Sequence, residues 1–314
     1  MREAVWRVLA RIPPICHLRR SKSVPVVGMK LQAECTIRIG DSSELDMSAN
    51  AAIFRQLHGG LKPLRLPNAW DAGSARLFES LGAAAIATTS AGLAWALGYA
   101  DGGKLPADAA IHAAAGIARV LKVPLSVDME NGYADDAATV GETIRRLLDV
   151  GVAGINIEDG SNAPAALAAK IEAIKNTAAK AGSDIFVNAR TDVYLANLVD
   201  VSRRVDETLS RGAIYRAAGA DGLFVPGLHE PAEIQAIVAG VGLPLNVMAW
   251  PGLMPVHELG LLGVRRFSAG SGISQMLWGH AETLARDFLD SGRSESLVEG
   301  AMSYGRIQAL FAGM

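Results

Sequence analysis

Cysteine is almost missing from this 314-residue chain: the two that occur, Cys16 and Cys35, both lie in its first 46 residues. A disulfide framework is therefore not expected, and neither a Cys-ligated zinc nor a thiol nucleophile can belong to the rest of the chain. Excess positive charge is missing too. With 30 Lys and Arg against 32 Asp and Glu, the formal net charge is −2, so no global positive field exists to hold nucleic acid or an anionic membrane surface. Long apolar runs are also lacking: the richest stretch, residues 83–100, is broken by Thr, Ser and Gly and falls short of the roughly 20 residues a membrane helix needs. No GxGxxG follows the first apolar strand, which argues against a doubly wound dinucleotide-binding sheet. These absences point to a soluble, cytoplasmic protein that works on small molecules, with neither nucleic acid nor membrane as partner.

What is present is a repeated unit. From Leu64 onward, short apolar strand, turn and Ala-rich helix alternate, the pattern of a parallel α/β fold. Candidate strands cover 64–68, 84–89, 125–130, 154–159, 185–191, 222–226, 245–249 and 265–269, with helices over 74–81, 107–121, 140–150, 165–181, 202–218 and 232–238 between them. Eight such units match a closed (β/α)8 TIM barrel. Helices over 275–289 and 296–311 exceed what the barrel requires, so a homo-oligomer, dimer or tetramer, built through the C-terminal helices is expected. Residues 1–46 read differently: Arg2, Arg7, Arg11, Arg19, Arg20, Lys22 and Lys30 crowd a segment with Pro13-Pro14 and no sustained period. The expectation is a flexible basic extension, with Met29 and Met47 as alternative starts, ahead of a catalytic domain over 47–314.

In a barrel of this kind the strand C-termini and following loops build the site, and five consecutive strands end in polar residues. Asp128 and Glu130, two apart on the third strand, should share a face, and Glu158 ends the fourth. Three carboxylates brought together repel and raise one another's pKa, so a cation among them is the natural resolution. Oxygen-only ligation suits Mg2+, or Mn2+. Each acid alone could equally be a helix cap or the partner of a surface Lys. Arg190, the one cationic residue at these strand ends, has the planar fork for a carboxylate or phosphate, or else forms a structural salt bridge to one of the same acids. Ser90 with the amides of Ala91 and Gly92 offers an anion pocket, or an ordinary turn. Asn246 and Trp250 near the seventh strand either line a pocket or simply pack.

At these residues the sequence resembles the isocitrate lyase and phosphoenolpyruvate mutase superfamily over residues 50–290. The matching pieces are PNAWDAGSARLFESLGA from Pro67, ATTSAGLAWALGYAD from Ala87, SVDMENGY from Ser126, INIEDG from Ile155 and VNARTD from Val187. The resemblance implies that Asp128, Glu130 and Glu158 hold Mg2+ directly or through water. It further implies that Ser90, Ala91 and Gly92, with Trp70 in the first matched piece, bind substrate, that Arg190 takes its anion, and that Asp101 lies close to both. The Lys-Cys-Gly-His loop that isocitrate and methylisocitrate lyases carry after the fourth-strand Glu is absent, as is the Lys-Asn pair of the phosphonate mutases. Here Glu158 is followed by Asp159-Gly160-Ser161-Asn162-Ala163-Pro164, with no Cys, Lys or His before Lys170. Asn162 and Pro164 resemble helix-start residues, so a short loop is expected. The expected activity is a Mg2+-dependent carbon–carbon lyase or decarboxylase acting on a small α-keto or 2-hydroxy di-acid through a metal-stabilised enolate. Tyr133, Asp101 or a metal-bound hydroxide would serve as base where one is needed. The alternatives are a phosphoenolpyruvate mutase or phosphonopyruvate hydrolase acting on a P–C bond, and a non-catalytic α-keto-acid-binding barrel.

Overall fold

The computed structural model describes residues 47–313; the expected basic extension over 1–46 lies outside them. The chain enters through helix α1 (Met47–Leu57), then runs β1 (Leu64–Leu66), β2 (Asn68–Ala69), α2 (Ala72–Ser80), β3 (Ile86–Thr88), α3 (Ser90–Ala96) and α4 (Ala107–Ala118). It continues with β4 (Leu125–Asp128), α5 (Ala137–Asp149), β5 (Gly154–Glu158), α6 (Pro164–Lys180), β6 (Phe186–Arg190) and α7 (Arg204–Ala217). The last units are β7 (Gly222–Phe224), α8 (Pro231–Val241), β8 (Leu245–Met248), α9 (Val256–Leu261), β9 (Arg266–Ser268), α10 (Gly272–Ser291) and α11 (Tyr304–Phe311).

All strand pairs are parallel, in the order β1-β9-β8-β7-β6-β5-β4-β3-β2. Nine strands stand where eight were expected because Pro67, which has no N–H to give a ladder, divides the first one. The two halves share the work of closure. β1 pairs with β9 and β2 with β3, and Asn68 stitches the seam by donating to Thr88 O (2.8 Å) and accepting from Gly270 N (3.0 Å). The result is an α/β TIM-barrel fold.

Strand residues alternate between two environments. Ile86, Val127, Ile155, Ile157, Val187, Leu223, Leu245 and Val247 join the large core shared with the helices. A smaller cluster of Phe54, Leu64, Leu66, Ala85, Ala87, Ala153 and Phe186 gathers where the strands begin. Phe54 of α1 is wholly buried there, its ring edge-on to Phe186 at 5.3 Å. Gly154 makes the fit possible: a Cβ at that position would come within 2.7 Å of the Phe54 ring. Helix α1 thus closes the N-terminal mouth, leaving the other end for chemistry.

Two expectations need correction. The third strand ends at Asp128, not at residue 130, because Glu130 adopts φ 51° and leaves the extended path; strand alternation therefore does not align Glu130 with Asp128. The segment 296–311 is not one helix. A short 3-10 turn at Glu295–Leu297 gives way to Gly300 at φ 74°, and α11 starts only after Ser303, whose hydroxyl caps it.

Candidate active site

Inside the barrel, β5 presents Gly154, Asn156 and Glu158 in turn and β6 presents Phe186, Asn188 and Arg190, paired rung by rung. Going up the barrel, an apolar floor gives way to amides and then to charges. In the middle layer Asn188 Nδ2 donates to Asn156 Oδ1 (2.9 Å) and to Asn246 Oδ1 (3.0 Å), and Arg266 Nη2 donates to Asn156 Oδ1 (3.0 Å). Arg266 is 1% exposed, with Nε and Nη1 unpartnered. Burial drives its pKa down to about 9, opposed by the field of Asp128.

The three expected metal ligands rim the C-terminal mouth. Asp128 Oδ2 accepts from Ser90 N (3.2 Å), Glu130 Oε2 accepts from Gly103 N, and Glu158 Oε2 lies 2.6 Å from Arg190 Nη1 without the alignment of a hydrogen bond. Asp128 Oδ1 and Glu130 Oε1 are buried without any partner, whereas Glu158 Oε2, also without a hydrogen bond, has the charge of Arg190 beside it. Such orphans are costly unless something fills them. Burial, with repulsion from Asp128, pushes Glu158 up to about 8 although Arg190 opposes it, and burial raises Glu130 as well. Among the described residues no three acid, imidazole or thiol groups converge as a ready-made cage. The donor set nevertheless fits Mg2+, a hard cation that keeps several waters and takes few direct carboxylates.

Arg190 is more committed than its sequence position suggests. Its Nε and Nη2 donate to Asp192 Oδ1 (2.7 Å) and Oδ2 (3.1 Å), leaving Nη1 for Glu158. Asp192 is held in turn by its own amide, which donates to Asp159 Oδ1 (3.0 Å). The other oxygen of that fully buried Asp159 accepts from Arg211 Nη1 (2.8 Å) and the Tyr215 hydroxyl (2.5 Å). Two helix residues of α7 therefore brace the guanidinium through two carboxylates.

Tyr133 belongs to an unusual turn. Of the three described non-glycine residues in the left-handed region, Glu130 (φ 51°) and Tyr133 (φ 59°) lie in one short turn, with Gly132 (φ 94°) between them. Left-handed residues cost roughly 1–3 kcal/mol each and collect at functional sites. The Tyr133 hydroxyl donates to Asp128 O (3.3 Å), and burial raises its pKa with the surrounding acids adding to the effect. It holds its proton.

Ser90, Ala91 and Gly92 form the first turn of α3 rather than an open loop, capped by Thr89, whose hydroxyl accepts from Gly92 N (3.4 Å). A Cβ on Gly92 would meet Thr89 Cγ2 at 2.7 Å and Trp70 Cβ at 3.0 Å. Asp101 is exposed in the loop that ends at Gly103, near enough to Glu130 to raise its pKa. Two residues stand apart from the acids: Trp70 packs edge-on to Phe78 (6.1 Å) beside α10, and Asn246 lies in the buried amide layer. Sequence reading missed Asn156, Asn188, Arg266 and Asp192. An alternating Asn-x-Glu and Asn-x-Arg on adjacent strands was the available signal.

A closed parallel barrel with an acid cluster and a braced arginine at its C-terminal mouth defines an enzyme of small-molecule chemistry. The family model for phosphoenolpyruvate phosphomutase matches residues 54–289, and the chain belongs to that family, within the isocitrate lyase and phosphoenolpyruvate mutase superfamily of lyases and mutases. A crystal structure of a Burkholderia cenocepacia J2315 protein provisionally assigned as a phosphonomutase is 40% identical, with TM-score 0.72, over 76% of this chain and 99% of that one. An uncharacterized protein of Mycobacterium tuberculosis (strain ATCC 25618 / H37Rv) is 40% identical over 69% of this chain and 81% of its own length. An oxaloacetate decarboxylase of Ectopseudomonas mendocina (strain ymp) is 32% identical over 49% of this chain and 55% of its own length.

Proposed function

We propose that this enzyme is a Mg2+-dependent decarboxylase or carbon–carbon lyase of a small α-keto or 2-hydroxy di-acid, of which oxaloacetate is the simplest. The observation that carries the reading is the pair of buried carboxylate oxygens left without a partner, Asp128 Oδ1 and Glu130 Oε1, beside a Glu158 carboxylate whose Oε2 has only the ion-pair contact with Arg190 Nη1. Mg2+ held by these acids would supply Lewis acidity for the keto acid's oxygens. Arg190 would take the distal carboxylate by giving up its Nη1 contact with Glu158 when a cation holds that acid. The first turn of α3 at Ser90, Ala91 and Gly92 would orient the near one, with the Ser90 amide given to Asp128 and that of Gly92 to Thr89. When the C–C bond breaks, its electron pair moves toward the keto oxygen and the carbon must gain a proton, which solvent or the Tyr133 hydroxyl, held beside Asp128 by its bond to that residue's carbonyl, would supply. The residue after Glu158 leads through only Asp159–Ala163 into α6, so no acid–base side chain of the lyase type stands there.

The P–C alternative draws on the family model and on the Burkholderia relative. A panel of oxaloacetate, methylisocitrate and phosphonopyruvate, each with Mg2+ and with chelator, separates the readings. Mg2+-dependent turnover of oxaloacetate supports the first, turnover of phosphonopyruvate the second. Tight binding without turnover of any member leaves a binding barrel.

The reading includes a cytoplasmic homo-oligomer assembled through α10. Only Ser274 of that 20-residue helix is buried, while Met276, Leu277, Trp278, Leu284, Phe288 and Leu289 are exposed. A groove of about 690 Å3 over β1 and β9, lined by Leu57, Leu66, Phe78, Phe267 and Ile273 among others, lies open. Exposed apolar surface of this kind marks an interface.

A further inference from the structure

We propose that Lys170, a residue of α6, is a positioning residue that holds the turn from Glu130 to Tyr133 in its left-handed form and thereby sets where the Glu130 carboxylate stands. The ammonium group is buried, the residue being 6% exposed, yet among the described residues no carboxylate forms an ion pair with it, Asp135 and Asp136 acting on it only through their fields. Instead Nζ donates to Asn131 O (2.8 Å) and Ala134 O (2.7 Å), two carbonyls that bracket Gly132 and Tyr133.

A buried cation spent on backbone carbonyls needs a reason, because desolvation disfavours the charged form; burial does lower the pKa of this lysine. The turn supplies the reason. Its internal bonds are few: Gly132 N donates to Met129 O (2.8 Å) and Tyr133 N to Asn131 Oδ1 (3.0 Å). Neither fixes the carbonyls of Asn131 and Ala134; the first lies in the peptide plane that carries the 94° φ of Gly132, and the two together clamp the segment that holds Tyr133 at φ 59°. Charge-assisted donors are about twice as strong as neutral ones, and α6 packs along α5, the helix the turn leads into. Lys170 therefore ties the two carbonyls of the turn to the 17-residue helix α6. On the other side, Glu130 Oε2 receives the Gly103 amide, so the loop around Asp101 depends on the same carboxylate.

The importance of Glu130 rests on the functional reading above, but its placement can be read without it. Lys175, on the same helix, offers a control for loss of an α6 ammonium away from the turn: its Nζ donates to Ile185 O (2.7 Å) and pairs with Asp221 and Asp184. Hydrogen–deuterium exchange of the full chain is measured for peptides covering 97–106 and 129–136 in wild type, Lys170→Met, Lys170→Arg and Lys175→Met, each checked for folding by circular dichroism. Expected is exchange at least tenfold faster in both peptides for Lys170→Met alone, with Lys170→Arg restoring most of the protection. Unchanged protection at 97–106 in folded Lys170→Met, or the same loss in Lys175→Met or Lys170→Arg, overturns the proposal. Calorimetric Mg2+ titration of the same proteins should weaken about tenfold for Lys170→Met. Should wild type bind no Mg2+, the metal reading fails while the exchange data still decide the role of Lys170.

Discussion

Arg190 and Asp192, two residues apart at the end of β6, are joined by a two-pronged ion pair, Nε to Oδ1 at 2.7 Å and Nη2 to Oδ2 at 3.1 Å. The pair fixes the guanidinium plane and leaves one nitrogen for the site. Replacing Asp192 by Ala removes charge-assisted hydrogen bonds from a guanidinium that keeps Glu158 as its partner, at a cost of roughly 1.5–3 kcal/mol. The expected result is a lower urea midpoint and a raised KM for the di-acid substrate. A KM equal to wild type in Asp192→Ala would mean that Arg190 does not orient substrate.

Asp128→Asn keeps the shape of the side chain and its acceptor for Ser90 N but removes the charge offered to a cation. Mg2+ affinity should fall at least tenfold, which is about 1.4 kcal/mol, and turnover with it. Calorimetric titration that returns the wild-type affinity would rule Asp128 out as a ligand.

His58 is the floor's titratable group. Burial, with the fields of Arg266 and Arg55 adding to it, holds the imidazole near pKa 3, although its Nδ1 lies 2.8 Å from Phe54 O. Its ring stacks on Phe186 at 4.2 Å. A base depressed on folding binds fewer protons when folded, so stability is full above the unfolded value of about 6.5 and is lost as pH falls toward 3. Denaturation midpoints measured from pH 7 to pH 4 should fall less steeply in His58→Gln. Parallel pH dependence in the two proteins would count against a neutral buried His58.

Tyr215→Phe deletes a donor to the fully buried Asp159 and leaves that carboxylate with Arg211 and the Asp192 amide. Both oxygens keep a partner, so the cost is that of one hydrogen bond to a charged group, about 1.5–3 kcal/mol. The loss should appear in urea unfolding, with a secondary rise in KM if the brace reaches Arg190 through Asp192. No change in stability would show the hydroxyl bond to be unimportant.

The exposed face of α10 makes a prediction about assembly. Leu284→Glu with Phe288→Glu should shift the protein to a smaller species in sedimentation velocity while the circular dichroism spectrum stays unchanged. A wild-type protein that sediments as a monomer removes the basis of the oligomer.

The barrel and its acid rim were legible in the chain because both follow local periodicities. Apolar strands alternate with Ala-rich helices, and Asp128, Glu158 and Arg190 end their strands as the pattern requires. The sequence by itself determined the parallel α/β class, the end of the barrel that carries charge, and the short Asp159–Ala163 link that leaves out a lyase-type loop. Only the tertiary structure decided that Glu130 leaves its strand, that Asp192 occupies most of Arg190, that Asn246 joins a buried amide layer and that Lys170 reaches a turn 36 to 39 positions away. The physical reason is range: periodicity reports which face a residue shares with near neighbours, whereas the pairing of a buried charge depends on groups that only closure of the barrel brings within hydrogen-bond distance.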